Sequence, residues 1–214
     1  EAIEAAVVGG APTAPSNRLP QLRAEIKTVP AEAAEAYDWA EPYEVAVGAP
    51  LPFYVKPSEP GSQVYLTEPL EELVRAEGPI HWDVVLERVR DWWDVGRVSH
   101  RLRANLEAAV DRANIARDGD FLDIPGRPVA KVRSVDSTRK PEHVHLDEFA
   151  LAAVRIVSDV GGAERSEVVT QVARLYGWAR NGAVLDERLN QAVDRAVETG
   201  QLREREGKLS VEDE

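Results

Sequence analysis

Apolar positions between residues 66 and 113 recur every three or four residues in three successive stretches, which is the spacing of amphipathic helices. Gly78 is placed to end the first helix, and Ser99 is suited to cap the third. Thr67 is the predicted cap of the first helix, with Pro69 in its first turn. The pattern therefore predicts three short helices in a row.

A β-hairpin is predicted directly after these helices. Asp118-Gly119-Asp120 lies between Ile115 and the apolar stretch Phe121-Leu122-Asp123-Ile124. Asp-Gly between two apolar stretches favours a tight turn between antiparallel strands. Three helices followed by a hairpin is the order of elements in a winged helix-turn-helix unit.

The same pattern occurs a second time along the chain. Val110-Asp111-Arg112-Ala113 returns 83 residues later as Val193-Asp194-Arg195-Ala196. The same offset pairs further apolar positions: Val85 with Val168, Val89 with Val172, Leu102 with Leu185, and Leu106 with Leu189. After four extra residues, Leu122 matches Leu209. The predicted fold class is mainly α with small β-hairpins (α+β), in the form of tandem winged helix-turn-helix repeats.

The domain boundaries follow from this repeat and from the prolines. Residues 1–60 contain nine of the 14 prolines, so they are expected to form an extended Pro-rich arm with short elements only. Within the arm, residues 31–40 suggest a helical turn, and residues 43–47 alternate like a strand. The other predicted boundaries are 61–126 for the first winged helix, 127–141 for a basic linker and 142–214 for the second winged helix.

Composition limits the classes of protein that the chain can belong to. The absence of cysteine excludes disulfides and thiolate metal sites. No apolar run is long enough to cross a bilayer, so no membrane partner is predicted and a cytoplasmic location is expected. The chain contains no methionine, which suggests a piece of a longer polypeptide. A net charge of -12 argues against a general polyanion binder, although residues 71–140 balance 13 acids with 13 bases.

The start of the predicted third helix carries the candidate binding residues. In a helix-turn-helix unit this helix enters the major groove of DNA. Its outward residues here are Arg97, Ser99, His100, Arg101 and Arg103, and no acidic residue lies between Asp94 and Glu107. These five are the predicted nucleic-acid-binding residues, with double-stranded DNA as the partner.

The second copy is less suited to nucleic acid. Its corresponding residues are Arg180, Asn181, Asp186, Glu187 and Arg188. Two carboxylates at these positions would repel phosphate. A role as a spacer or in docking a protein partner is therefore the better interpretation of the second copy.

No feature of the sequence indicates catalysis. A phosphate-binding G-x-x-x-x-G-K-[ST] loop, a cysteine nucleophile and a G-x-S-x-G elbow are all missing. His143 and His145 alternate in a way that can bind zinc, but two ligands do not make a metal site. The prediction is a non-enzymatic module without a catalytic residue, metal, cofactor or small-molecule substrate.

Several short motifs, in this order and spacing, carry a likeness to a known family. These motifs are Ala76-Glu77-Gly78-Pro79-Ile80-His81, Arg97 with Arg101-Leu102-Arg103, Arg117-Asp118-Gly119-Asp120-Phe121-Leu122, Glu167-Val168-Val169, Ala173-Arg174-Leu175-Tyr176-Gly177-Trp178 and Gly200-Gln201-Leu202. Over residues 43–211 the chain resembles the C-terminal domain of unknown function of large bacterial superfamily-one helicase-related proteins, which often carry a restriction-endonuclease-like domain. The resemblance implies a bacterial role in nucleic-acid metabolism, such as restriction or phage defence. It implies no catalytic residue in this region.

Two hypotheses about function remain open at this point. In the first, the chain is an accessory module that places upstream helicase or nuclease domains of the same polypeptide on duplex DNA. In the second, it is a protein-interaction, scaffold or dimerisation module that docks on the helicase body. The second is motivated by the acidic second copy and by the aromatic residues of the arm.

Overall fold

The structure is a computed structural model that describes residues 37–135, 137–178 and 182–211. Its fold is mixed α+β, with six α-helices and small antiparallel hairpins, as the hydrophobic pattern predicts. Among the described residues, none of the helices combines the length and the apolar character needed to cross a bilayer.

The first half of the chain holds a short strand and then one complete winged-helix unit, which we call the first unit (63–123). Its elements, with the preceding strand β1, are β1 (Ala40–Pro42), α1 (Gln63–Glu77), β2 (Ile80–His81), α2 (Trp82–Trp92), α3 (His100–Arg112), β3 (Ala116–Asp118) and β4 (Phe121–Asp123). The predicted helix end at Gly78 is confirmed. The predicted turn at Asp118-Gly119-Asp120 is confirmed at Gly119-Asp120, whereas Asp118 is the last residue of β3.

The second half repeats this order after a connecting segment, and we call residues 146–211 the second unit. Its elements, with the preceding strand β5 and a 3-10 helix, are β5 (Val132–Val135), the 3-10 helix (Pro141–His143), α4 (Leu146–Val160), β6 (Ala163–Glu164), α5 (Arg165–Leu175), α6 (Ala183–Glu198), β7 (Leu202–Arg205) and β8 (Lys208–Val211).

Strand register confirms that the two units are copies of one arrangement. In the first unit, β2 pairs antiparallel with β4, and Ile80 lies opposite Leu122. In the second, β6 pairs with β8, and Ala163 lies opposite Leu209. Ile80 and Ala163 are related by the offset of 83 found in the sequence, and Leu122 and Leu209 by that offset plus the four extra residues. In each unit a two-residue strand before the second helix therefore completes a three-stranded sheet with the wing.

The apolar stripes of the third helices face inward in both units. Leu102 and Leu106 of α3 are 1% and 0% exposed, and Leu185 and Leu189 of α6 are 7% and 1% exposed. They belong to two separate hydrophobic clusters, one within each unit. Burial of these side chains is the main driving force for packing the helices.

Two predicted details of the first half are wrong. Helix α1 begins at Gln63 rather than after Thr67, and Thr67 instead donates its hydroxyl hydrogen bond to the Gln63 carbonyl at 3.0 Å. The predicted strand at residues 43–47 is not formed, and the strand of the arm is Ala40–Pro42. Of the predicted helical turn, residues 31–36 lie outside the described residues, and residues 37–40 form a hydrogen-bonded turn that leads into β1.

The connecting segment is more ordered than an aperiodic linker. Its strand β5 pairs in parallel with β1 of the arm, with Ala40 opposite Val132 and Pro42 opposite Val135. The backbone N–H of Tyr43 extends this contact by donating to the Val135 carbonyl at 3.1 Å. The arm and the connecting segment thus run side by side between the units.

Candidate nucleic-acid interface

The five predicted binding residues lie together at the start of α3, and we call them the α3 strip (Arg97, Ser99, His100, Arg101 and Arg103). All five are exposed. Ser99 is the N-cap of α3, and its hydroxyl oxygen accepts a hydrogen bond from the Leu102 N–H at 3.2 Å. This cap fixes the first turn of the helix from which the basic side chains project.

The arginines of the α3 strip have no counter-charge among the residues that the structure describes. Arg97, Arg101 and Arg103 form no ion pair with any residue that the structure describes. Arginines that do form ion pairs with carboxylates are Arg88, Arg90, Arg127, Arg133, Arg139, Arg165 and Arg195. The strip therefore offers cations that can bind a phosphate without first breaking an internal contact.

Helical geometry spreads these cations across the exposed face of α3. Successive residues of an α-helix are about 100° apart around the axis, which places Arg101 and Arg103 about 160° from each other. His100 and Ala104 lie between them, and Leu102 and Leu106 lie on the opposite, buried side. Two arginines on opposite edges of the exposed face can reach the phosphates on both sides of a groove that the helix enters.

The arm braces the helix that carries the strip. The side-chain amide of Asn105 in α3 donates to the carbonyl oxygens of Pro57 and Glu59, at 2.8 and 2.9 Å. The indole N–H of Trp93, just after α2, donates to the Ala49 carbonyl at 3.0 Å. The arm therefore contacts both α3 and the end of α2, which flank the loop before the strip.

Among the residues that the structure describes, the start of α6 offers no unpaired cation of this kind. The N-cap of α6 is Gly182, which offers no side-chain cap, and Arg180 and Asn181 of the predicted set lie outside the described residues. Arg188 donates to the Val144 carbonyl at 2.7 Å. Asp186 and Glu187 leave the first turns of α6 with more acid than base.

A buried charge cluster between the connecting segment and the second unit was not anticipated from the sequence. The carboxylate of Glu148 is 0% exposed and accepts hydrogen bonds from Arg133 at 2.7 Å, from Arg139 at 2.7 Å and from the Tyr176 hydroxyl at 3.0 Å. Burial alone would raise the pKa of Glu148, but the hydrogen bonds and charges of Arg139 and Arg133 outweigh it and hold that pKa at about 2. The cluster is charged at neutral pH.

Arg133 also joins this cluster to the first unit. Its guanidinium donates to the carbonyl oxygens of Glu77, Gly78 and Pro79, at 2.6, 3.2 and 3.2 Å. The Glu77 carbonyl belongs to the last residue of α1, so Arg133 satisfies acceptors at a helix C-terminus, where a cation is favoured. Arg133 thus bonds to both units.

Tyr43 of the arm contacts both the buried charge cluster and the first unit. Its ring lies under the guanidinium groups of Arg133 and Arg139, at 5.4 and 4.2 Å from the ring centre. Its hydroxyl donates to the buried carboxylate of Glu77 at 2.6 Å, and Arg88 donates to the same carboxylate at 2.7 Å. Burial and then the charge of Glu77 raise the pKa of Tyr43, which keeps the phenol protonated as a donor.

Three of the four histidines of the chain also lie where the connecting segment meets the two units, a region that we call the junction. The rings of His81 and His143 stack with their centres 4.9 Å apart, and Phe121 packs its edge or face against both His81 and His145. Burial, followed by the charge of His81, lowers the pKa of His143. The pair that the sequence singles out, His143 and His145, is thus part of a larger group of rings.

Together, the repeated topology and the α3 strip define a mixed α+β protein of two winged-helix units. Residues 56–104 match the family model described as "Protein of unknown function (DUF3320)". The matched stretch runs from the end of the arm into α3 and includes all five residues of the α3 strip. No curated protein and no solved structure was found to match the chain.

Proposed function

We propose that the chain is a non-catalytic module that binds duplex DNA through the α3 strip. The observation that carries the proposal is a capped, braced helix whose exposed arginines have no ion-pair partner among the described residues. Winged-helix units use this same helix to enter the major groove, which supports the proposal by analogy of fold. The planar guanidinium group suits the task because it can form two parallel hydrogen bonds to phosphate or guanine.

The setting that we propose is a larger helicase-type or nuclease-type protein, as in restriction or phage defence. The likeness of the sequence motifs to helicase-related proteins supports this setting. In it, the chain would hold the catalytic domains of the same polypeptide on their DNA, and the second unit would act as a spacer or contact a protein. The acidic start of α6 and the pairing of Arg188 with the Val144 carbonyl are consistent with that division of roles.

The test compares two variants with the same change in charge. Arg97, Arg101 and Arg103 are replaced together by Gln in one variant. The control variant replaces Arg155, Arg174 and Arg205 by Gln as well, and these three are exposed residues of the second unit. Binding to a random-sequence duplex is measured by fluorescence anisotropy over a series of salt concentrations. We expect the strip variant to bind at least about tenfold more weakly and its slope of log K against log salt to flatten by about 3.

Two results would reject DNA binding by the strip. One is the absence of measurable duplex binding by the parent chain at low salt. The other is an equal loss of affinity in both triple variants, because that would reflect net charge rather than a defined contact surface.

A second candidate function, protein interaction, is favoured by the aromatic residues of the arm. Phe53 is 100% exposed, Tyr54 62% and Tyr65 43%, and their rings contact one another edge to face. Exposed clusters of large apolar side chains often mark protein interfaces. This surface would dock on the body of the larger protein or on a second copy of the chain.

The second candidate is tested by replacing Phe53 and Tyr54 with Ser. Sedimentation of the parent chain over a range of concentrations measures self-association, and pull-down with the separately expressed preceding region of the polypeptide measures docking. We expect the double replacement to abolish whichever association the parent shows. A parent chain that remains monomeric and fails to bind that region at micromolar concentration would reject this function.

A further inference from the structure

Two histidines and one aspartate from both sides of the junction converge on a small volume. His81 ends β2 and is the N-cap of α2, Asp83 lies in the first turn of α2, and His143 ends the 3-10 helix before α4. Each residue offers one donor atom, and these three atoms lie within 4.8 Å of one another. They are the kinds of atom that bind divalent transition metals.

His143 is a buried histidine whose ring has no hydrogen-bond partner among the described residues. It is 5% exposed. Buried polar side chains in folded proteins are nearly always satisfied by a protein group, a water molecule or an ion. Its stacking contact with His81 leaves the in-plane lone pair of the ring unused, and that lone pair is the one that binds metals.

The two rings lie close enough for both to reach one metal ion. Their centres are 4.9 Å apart, but their planes are inclined by only 27° in a stacked arrangement. One ring must therefore rotate before both in-plane lone pairs can point at the same ion. The Asp83 side chain is 61% exposed, so it can rotate toward the ion, and its carboxylate oxygen is already 4.0 Å from His81 Nδ1. The three donor atoms lie within 4.8 Å of one another, and side-chain rotation must bring them to the roughly 3.3 Å that separates tetrahedral ligands of one ion.

We propose that His81, Asp83 and His143 bind one zinc-class divalent cation, with water completing its coordination. Two imidazole nitrogens and one carboxylate oxygen suit Zn²⁺ and the late first-row metals better than Mg²⁺ or Ca²⁺, which prefer oxygen ligands. Coordination through His81 Nδ1 would replace the hydrogen bond that this atom accepts from the Asp83 N–H at 3.1 Å. The ion would fasten the start of α2 to the segment that leads into α4.

The histidines provide a matched pair of variants for the test. His81 caps α2, and His145 caps α4 in the same way by accepting from the Asp147 N–H at 3.2 Å. Asparagine is a good N-cap, so His81→Asn and His145→Asn both retain a capping side chain. Only His81→Asn removes a proposed ligand. His143→Ala removes a second ligand without touching either cap.

The chain is stripped of metal with a chelator and titrated with Zn²⁺ by calorimetry and with Co²⁺ by visible absorption. We expect one equivalent to bind in the parent chain and in His145→Asn, with the intense visible bands of four-coordinate Co²⁺. Affinity should fall at least about tenfold in His81→Asn and His143→Ala. In an amide NMR spectrum, zinc should shift the Asp83 resonance of the parent, because its hydrogen-bond acceptor is taken by the ion.

Thermal unfolding supplies an independent readout of the same site. Zinc at about 100 times the dissociation constant of the parent should raise the Tm of the parent by roughly 5–10 °C and that of His81→Asn by at most about half as much. No binding by the parent chain would overturn the proposal. Equal binding by His81→Asn and His145→Asn would also overturn it, because it would show only adventitious attachment to an acidic surface.

Discussion

At the scale of single residues, the carboxylate of Glu148 is the group on which most buried polar contacts depend. It lies between two guanidinium groups that are themselves 9% and 4% exposed. Removing one partner of a buried ion pair leaves the other charged and unsolvated, which costs far more than the pair contributes when intact. Two unpaired arginines would remain if the charge of Glu148 were lost.

The substitution Glu148→Gln is therefore expected to be strongly destabilising. It retains the shape of the side chain but removes its charge, and we expect the free energy of unfolding to fall by about 3–5 kcal/mol. Urea denaturation followed by circular dichroism measures this change. Glu167→Gln, at an exposed position of α5, is the matched control and should change stability by less than about 0.5 kcal/mol. An equally small change in unfolding free energy in both variants would contradict the role of Glu148 as the buried partner of the two arginines.

The same carboxylate gives the stability of the fold a defined pH dependence. Its pKa in the folded state is about 2, below its ordinary value of 4.5, so folding favours the ionised form. The stabilisation that it provides is complete above pH 5 and is lost as the pH falls from 4.5 toward 2. We expect the Glu148→Gln variant to lose stability less steeply than the parent over that interval, as measured by urea midpoints at successive pH values. If the urea midpoints of the parent and of Glu148→Gln fell in parallel with pH, that result would be incompatible with an ionised, buried Glu148.

At the scale of elements, the close approach of the arm to α2 depends on Gly48. A Cβ atom at this position would lie 2.6 Å from Trp92 Cδ1 and 2.7 Å from Trp92 Cγ. Such a contact is too short to be tolerated, so Gly48→Ala should push the arm away from Trp92 and cost about 1–3 kcal/mol. Tryptophan fluorescence and thermal unfolding measure the two effects. Gly96→Ala, where nothing lies within 4 Å of the added atom, serves as the control.

Hydrophobic periodicity predicted the helices because each of them buries one stripe. The stripes of α3 and α6 extend over three turns or more, and their leucines are almost fully buried. Strands β2 and β6 have only two residues each, which is too short for an alternating pattern. Their pairing depends on the distant wing strands, so no local feature of the sequence indicates them.

The start of α1 was misplaced for an identifiable reason. Proline usually occurs in the first turn of a helix because it cannot donate a backbone hydrogen bond. In this chain the helix continues through Pro69, and the hydroxyl of Thr67 bonds back to the carbonyl of Gln63 within the same helix. Thr67 and Pro69 therefore looked like a helix start although they lie inside α1.

The polar contacts of the junction were beyond the reach of sequence patterns. Arg133 and Arg139 fall in a stretch without periodicity, where arginine is usually solvated. Glu148 lies near the start of α4, where an acidic residue is expected on the surface because it favours the helix dipole. Only the fold shows that these three side chains meet. The α3 strip, in contrast, could be predicted, because the spacing of the buried leucines on α3 indicates which positions of that helix are exposed.

At the scale of the whole molecule, Arg133 is the residue that couples the two units most directly. Arg133→Met would remove its bonds to the end of α1 and to Glu148 while keeping an apolar stem. We expect the free energy of unfolding to fall by at least about 2 kcal/mol, and we expect one heat-absorption peak for the parent but two for the variant. Differential scanning calorimetry makes the comparison, with Arg155→Met as the exposed control. A single unshifted peak in the Arg133 variant would show that the units are coupled by other contacts.

The side-by-side course of β1 and β5 has a consequence for the integrity of the chain. Strand β1 is followed in the chain by the first unit, and β5 is followed by the second. A nick at the exposed peptide around Pro128 or Ala130 would sever the covalent link, but the paired strands and the guanidinium bonds of Arg133 would still join the two fragments. The two halves, produced as separate polypeptides, should therefore associate and form the same fold as the uncleaved chain.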